Sequence, residues 1–231
     1  MSEYQLLITC EHGGSDVPKE YRRLFRGKID VLDSHRGWDP GALELAMELS
    51  DSFHSLILFC TITRLLIDLN RSEDHPQLFS EFTRNFSYDK KSILLDGLYY
   101  PFRSHAADHV SKASRQSGKL LHLSIHSFTP VLKEVERKAD LGLLYDPSRL
   151  EEKAFCLALR ERLRRRLPGL RVRMNYPYRG VSDGHTAALR RRFRKRYLGL
   201  EIEVNQRFPL GPEKDWRELQ EGFKDCLREM L

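Results

Sequence analysis

At 231 residues, with 40% hydrophobic and 10% aromatic residues, the chain has the length of one ordinary domain and enough apolar material for a core, which excludes global disorder. Charged residues make up 31%, and 39 Lys+Arg against 33 Asp+Glu give a formal charge of +6, a mixed basic balance unlike a histone-like polycation. No run of 18 apolar residues occurs, so no membrane span is expected, and four scattered cysteines without a CxxC pair point to free thiols in a reducing cytoplasm.

The first apolar run, Gln5–Cys10, closes on Glu-His-Gly-Gly and predicts a strand buried on both faces rather than a signal peptide. Asp39 before Pro40 predicts an N-cap, and Leu43, Ala46, Met47 and Leu49 give the helix Asp39–Phe53 its apolar stripe. Leu56–Thr61 and Arg64–Leu69 predict two more strands, the second ending at Asn-Arg-Ser. Ser72 to Pro101 is polar, irregular and aromatic, and reads as a long loop or lid, with room for a helical turn. A helix over Phe102–Ser117, a strand over Leu120–His126 and a strand over Leu141–Tyr145 follow. The remainder predicts a helix Glu151–Leu167, an edge strand Leu170–Met174, a basic helix Ala187–Tyr197, a strand Leu198–Val204 and a closing helix Glu213–Met230. Strands alternating with helices predict an α/β fold, a three-layer αβα sandwich on a mostly parallel central sheet, in a single domain over residues 1–231.

In such sheets sites form beyond the carboxyl ends of the strands. His12, Asn70, Arg71, His126, Glu203 and Asn205 all stand there. Imidazole and carboxylate together suit Zn²⁺, with other divalent ions as alternatives, and a further carboxylate nearby could serve as a general base. Chance also places histidines at strand ends. His54, His75, His105 and His109 read as surface residues, His122 as core or as a neighbour of the site, and His35 as close to it. Taken alone, Asp68 and Arg71 could simply pair, Asn70 could cap a turn, and Glu203 could meet an arginine. The basic runs Arg160–Arg166 and Arg190–Arg196 read as a solvated face, with an anion-binding surface for nucleic acid as the alternative.

The blocks Leu6–Gly14 (LLITCEHGG), Ser34–Leu43 (SHRGWDPGAL), Arg64–Ser72 (RLLIDLNRS), Leu123–Pro130 (LSIHSFTP), Asn175–Gly180 (NYPYRG) with Asp183–Thr186 (DGHT), and Leu200–Phe208 (LEIEVNQRF) carry a resemblance. In this order the chain resembles the N-formylglutamate amidohydrolase family, whose fold is of the zinc-peptidase, phosphorylase/hydrolase-like αβα type. The resemblance implies a zinc-dependent hydrolase of a C–N amide bond in an N-acyl amino acid such as N-formylglutamate, a small-molecule carboxylate. It implies a metal held by His12, Asp39 and His126, with Glu11 as a rival carboxylate and Asp39 open to either ligation or capping. Glu203 is implied as the catalytic carboxylate, with Glu201 as second choice. Arg71 is implied as the grip on a substrate carboxylate. Asn70, Arg179, His185 and Asn205 would complete the substrate pocket, with Arg64 a further candidate and Tyr176 and Tyr178 as walls. The alternatives are hydrolysis of a peptide or cell-wall amide, and an inactive relative that binds nucleic acid through its basic second half.

Overall fold

The computed structural model describes residues 4–115 and 119–231. The main strands are β1 (Tyr4–Cys10), β2 (Leu56–Phe59), β3 (Lys119–Phe128), β4 (Leu141–Leu144), β5 (Val172–Met174) and β6 (Tyr197–Asn205). The main helices are α1 (Ala42–Phe53), α2 (Tyr88–Leu94), α3 (Tyr100–Arg115), α4 (Leu150–Arg166), α5 (His185–Arg192) and α6 (Glu213–Arg228). The strands form one six-stranded sheet in the order β2-β1-β3-β6-β4-β5. All neighbours run parallel except β4 and β6, which are antiparallel. Helices cover both faces, giving the expected αβα sandwich.

Alternation along the central strands sorts residues by face. Ile8 and Cys10, Leu121, Leu123 and Ile125, and Leu198, Leu200, Ile202 and Val204 pack into one apolar cluster with α1, α4 and α6. Leu7, Leu120 and Tyr197 begin the other face against α3 and Leu189 of α5. Further along, that second face turns polar. Thr9, His122, Ser124, His126, Glu201 and Glu203 are all buried there, and the register pairs Thr9 with Ser124, Ser124 with Glu201 and His126 with Glu203. The sheet's carboxyl end thus carries a polar set on one face, beneath loops.

Several elements depart from the sequence reading. Arg64–Leu69 is not a strand. Ile62 makes only an isolated bridge to Asp16, and the Thr63 hydroxyl bonds the Gly37 carbonyl and accepts the Leu65 N–H, the local pattern by which Thr competes with a ladder. Leu65, Leu66, Ile67 and Leu69 instead join a separate apolar cluster with Phe25, Leu32, Leu78, Leu94 and Tyr99. β2 is shorter than expected and half-exposed as an edge strand. The segment expected as a loop up to Pro101 is partly helical: α2 runs through a π-helical turn, Leu95–Tyr99, into α3. Leu94 and Tyr99, five residues apart and both buried, match the wider π spacing. The expected end of that helix at Ser117 lies outside the described residues. The expected helix Ala187–Tyr197 occupies His185–Arg192, and Tyr197 begins β6. Nor is the Arg190–Arg196 run uniformly solvated: Arg190 is buried and its Nε meets Glu152 at 3.1 Å. Among the described residues no helix is long and apolar enough to cross a membrane, and all four cysteines are free.

Candidate metal centre and cavity

Asp39 does not cap α1. The helix starts at Ala42, with Gly41 before it in the left-handed region at φ 78° and no side-chain cap. Glycine is required there, since a Cβ would lie 2.3 Å from Pro209 Cβ. The Asp39 backbone N–H donates to the His12 carbonyl at 2.9 Å, which ties its turn to the end of β1. Its Oδ2 lies 3.2 Å from His12 Nδ1 and 2.9 Å from His126 Nδ1. The three residues are buried, and their ligand atoms all fall within 4.8 Å of one another. Two imidazoles and a carboxylate form a donor set that suits Zn²⁺.

Each imidazole is held from behind. His12 Nε2 is 2.7 Å from Asp68 Oδ1, and Asp68 Oδ2 receives Arg64 at 2.6 Å. Arg64 also lies 3.5 Å from Asp39 Oδ1. His126 Nε2 faces Ser124 Oγ at 2.9 Å, Asn70 Nδ2 at 3.3 Å and Glu11 Oε2 at 3.5 Å. Glu11 therefore sits behind His126, on the side away from Asp39. Burial alone would raise Asp39 and Glu11, but the adjoining histidines hold both carboxyls well below their usual range. Burial opposes charging His126, yet the Asp39 hydrogen bond and the charges of Glu11, Asp39 and Glu203 raise its pKa to about 10.

A cavity of about 320 Å³ opens over this cluster. Its wall includes His12, Asp39, His126, Asn70, Arg71, Arg64, His35, Tyr178, Arg179, Glu201 and Glu203. Glu203 Oε2 is buried and has no hydrogen-bond partner among the described residues. Burial raises the Glu203 pKa to about 8; His126 and Arg64 pull against that, while Asp39 and Glu201 add to it. Glu201, two residues away on the same face, is engaged by the Thr186 hydroxyl. Arg71 Nη1 donates to the Asp183 carbonyl at 3.3 Å, and its Nε, 3.8 Å from Asp68 Oδ2, has no hydrogen-bond partner among the described residues. Arg179 is exposed at the rim.

His185 and Asn205 lie outside the cavity wall. The His185 ring bonds Glu11 at 2.8 Å, and its backbone N–H donates to Asn70 Oδ1 at 2.7 Å. Asn205 donates to the Ala139 carbonyl at 2.8 Å and accepts the Arg207 N–H at 3.0 Å, so it closes the turn after β6. Tyr176 is not on the wall either. Ser124 and Thr9 are not among the sequence candidates for the site, and Asp68 enters there only as a structural partner for Arg71, whose Nε it meets at 3.8 Å. Ser124 carried a signal, being the alternate residue between His122 and His126; Asp68 carried one only as part of the Arg64–Ser72 block.

A family model for N-formylglutamate amidohydrolase matches residues 4–209. Among solved structures, the gene product Atu2144 from Agrobacterium tumefaciens is similar at a TM-score of 0.80 and 27% identity, over 99% of this chain and 92% of that one. N-formylglutamate amidohydrolase from Ralstonia eutropha JMP134 shares the fold at a TM-score of 0.70 and 20% identity, over 100% of this chain and 94% of that one. No curated protein matches the chain.

Proposed function

The chain belongs to the N-formylglutamate amidohydrolase family, and from that premise we propose that it is a metal-dependent hydrolase of the amide bond in an N-acyl amino acid with a free carboxylate, N-formylglutamate being the first substrate to try. The observation that carries this reading is the unpartnered, buried Glu203 Oε2 in the wall of a cavity that also contains the His12–Asp39–His126 cluster.

His12, Asp39 and His126 would hold the ion. An ion there would supply Lewis-acid polarisation of an oxygen. The protein's own contributions are separable. Glu203, raised to about 8, stands where it can take a proton at Oε2 from the attacking water and return it to the leaving amine nitrogen; a group titrating near working pH can do both. Arg71 and Arg179 present guanidinium donors at the cavity, suited to a planar carboxylate. Arg64 is committed to Asp68 and Asp39, so it orients the cluster rather than the substrate. Asn70, fixed by the His185 N–H, closes the wall beside His126. Tyr178 at the mouth is held by Arg137, whose guanidinium stacks on its ring at 5.1 Å and donates to its hydroxyl at 3.2 Å.

The test is a panel of N-formyl, N-acetyl and peptidyl amino acids offered to the zinc-loaded protein, with Glu203→Gln in parallel. The reading expects hydrolysis of N-formyl amino acids and a loss of turnover of about a hundredfold or more in the variant. Turnover of peptides alone, or an unimpaired variant, would refute it.

A further inference from the structure

The Nδ1 atoms of His12 and His126 converge on one oxygen of Asp39. An imidazole that offers the lone pair of Nδ1 must carry its proton on Nε2, and the partner of Nε2 decides whether it does. Resting on the metal reading above, we infer that two outer carboxylates, Asp68 behind His12 and Glu11 behind His126, are positioning residues that keep both imidazoles protonated at Nε2 and so commit both Nδ1 atoms to a single ion.

The two carboxylates act over different distances. Asp68 Oδ1 accepts directly from His12 Nε2 at 2.7 Å. Its orientation is fixed by the Asn70 backbone N–H at 2.9 Å on the same oxygen and by Arg64 on the other. Glu11 acts through Ser124, whose hydroxyl lies 2.9 Å from His126 Nε2 and donates to Glu11 Oε2 at 2.9 Å. The proton on Nε2 is thus met by an oxygen whose own proton is already committed. Asn70 Nδ2, a donor that competes for the same nitrogen, lies farther off at 3.3 Å, its Oδ1 being turned to the His185 N–H, so the 2.9 Å contact to Ser124 is the shorter of the two. Glu11 is itself anchored: its Oε1 accepts the Thr9 hydroxyl at 2.8 Å and faces His185 Nδ1 at 2.8 Å.

Cost supports the same assignment. The Glu11 side chain has no exposed surface and that of Asp68 only 8%, and an ionised carboxylate so placed is costly unless donors surround it. Both carboxylates meet this condition: Asp68 through His12 Nε2, the Asn70 N–H and Arg64, and Glu11 through the Thr9 and Ser124 hydroxyls and the His185 ring. Outer partners of this kind orient a ligand ring and raise its basicity, and losing one typically weakens ion binding ten- to a hundredfold.

The experiment titrates Zn²⁺ and Co²⁺ against a chromophoric chelator with the full chain as wild type, Asp68→Asn, Glu11→Gln and Ser124→Ala. Nitrogen-15 shifts of the histidine rings in the zinc-loaded protein are read in parallel. The expected result is Nε2–H on both rings of the wild type, and affinity reduced ten- to a hundredfold in Asp68→Asn and Glu11→Gln. A smaller loss is expected in Ser124→Ala, where Nε2 can reach Glu11 directly. Should Glu11→Gln fail to fold, Asp68→Asn and Ser124→Ala still decide the matter, since both leave Glu11 in place. Wild-type affinity and unchanged ring shifts in those variants would overturn the assignment while leaving the metal reading intact. A wild type that takes up neither ion would overturn both.

Discussion

Replacing Glu203 by Gln should flatten the pH dependence of folding in the metal-free protein. Glu203 is buried, and its carboxyl is raised from 4.5 to about 8. Between those values the native state keeps a proton that the unfolded chain has released, so stability falls as pH rises. It is fully present below about pH 4.5 and lost on approaching pH 8. One group held this way changes stability by about 1.4 kcal/mol per pH unit, which sums to roughly 3–4 kcal/mol between pH 5 and pH 8. Glutamine keeps the size of the side chain and releases no proton, so its curve should lack this fall. His126, raised to about 10, adds a decline of its own above pH 6.5, but it is present in both proteins. Urea denaturation of chelator-treated wild type and Glu203→Gln at half-unit steps from pH 5 to pH 8 measures the difference. Parallel curves would show that Glu203 keeps an ordinary carboxyl in the folded protein, and the argument for a proton held at Oε2 would fail with it.

Other perturbations probe other parts of the molecule. His126→Ala removes one of three converging ligand atoms, so zinc content after loading and dialysis should fall well below that of the wild type; equal content would remove His126 from the metal centre. Arg71→Lys keeps the charge but loses the planar fork, so KM for free-carboxylate substrates should rise about tenfold, with little change for the corresponding esters; equal losses on both would show that Arg71 does not read the carboxylate. Gly41→Ala forces a Cβ against Pro209 at φ 78°, which should cost about 1–3 kcal/mol and lower the Tm by several degrees. Arg190→Met leaves Glu152 buried with one cation fewer, and chemical denaturation should show a loss of about 3–5 kcal/mol, against under about 0.5 kcal/mol for a solvated surface arginine.

Much of the site was legible because a strand has a period of two. His122, Ser124 and His126 alternate along β3, and Glu201 and Glu203 along β6, so one face of the sheet had to collect them. Helix stripes and glycine turns located most elements to within a few residues. What was not legible depends on contacts distant in sequence or on the direction of a turn. Asp39 looks like a cap until Gly41 takes a left-handed conformation and the helix starts later. RLLIDL looks like a strand, but hydrogen bonds around Thr63 and a second apolar cluster draw it into turns, which is what brings Asp68 behind His12. His185 and Asn205 stand in the right place along the chain. Neither a place in a family block, as for His185, nor one at a strand end, as for Asn205, says which way a side chain points, and these two turn inward or back on the loop.

The apolar interior is divided, and the site is shared between its parts. His126 and Glu203 project from strands whose opposite face lies in the large cluster, whereas Asp68 lies within, and Asn70 and Arg71 directly follow, a segment embedded in a smaller one around Leu66, Leu78 and Leu94. Cooperative units of a protein open at different free energies, and the less extensively packed ones open first. A transient opening of the smaller unit would carry off the Arg71 guanidinium proposed to grip substrate and the support behind His12, while the carboxylate and imidazole on the central strands stay ordered. Amide hydrogen exchange would register this as earlier exchange across residues 62–99 than along β3 and β6. The affinity for substrate would then be adjustable by mutations in an apolar cluster that touches no substrate atom, through the fraction of time the two halves of the site are assembled together.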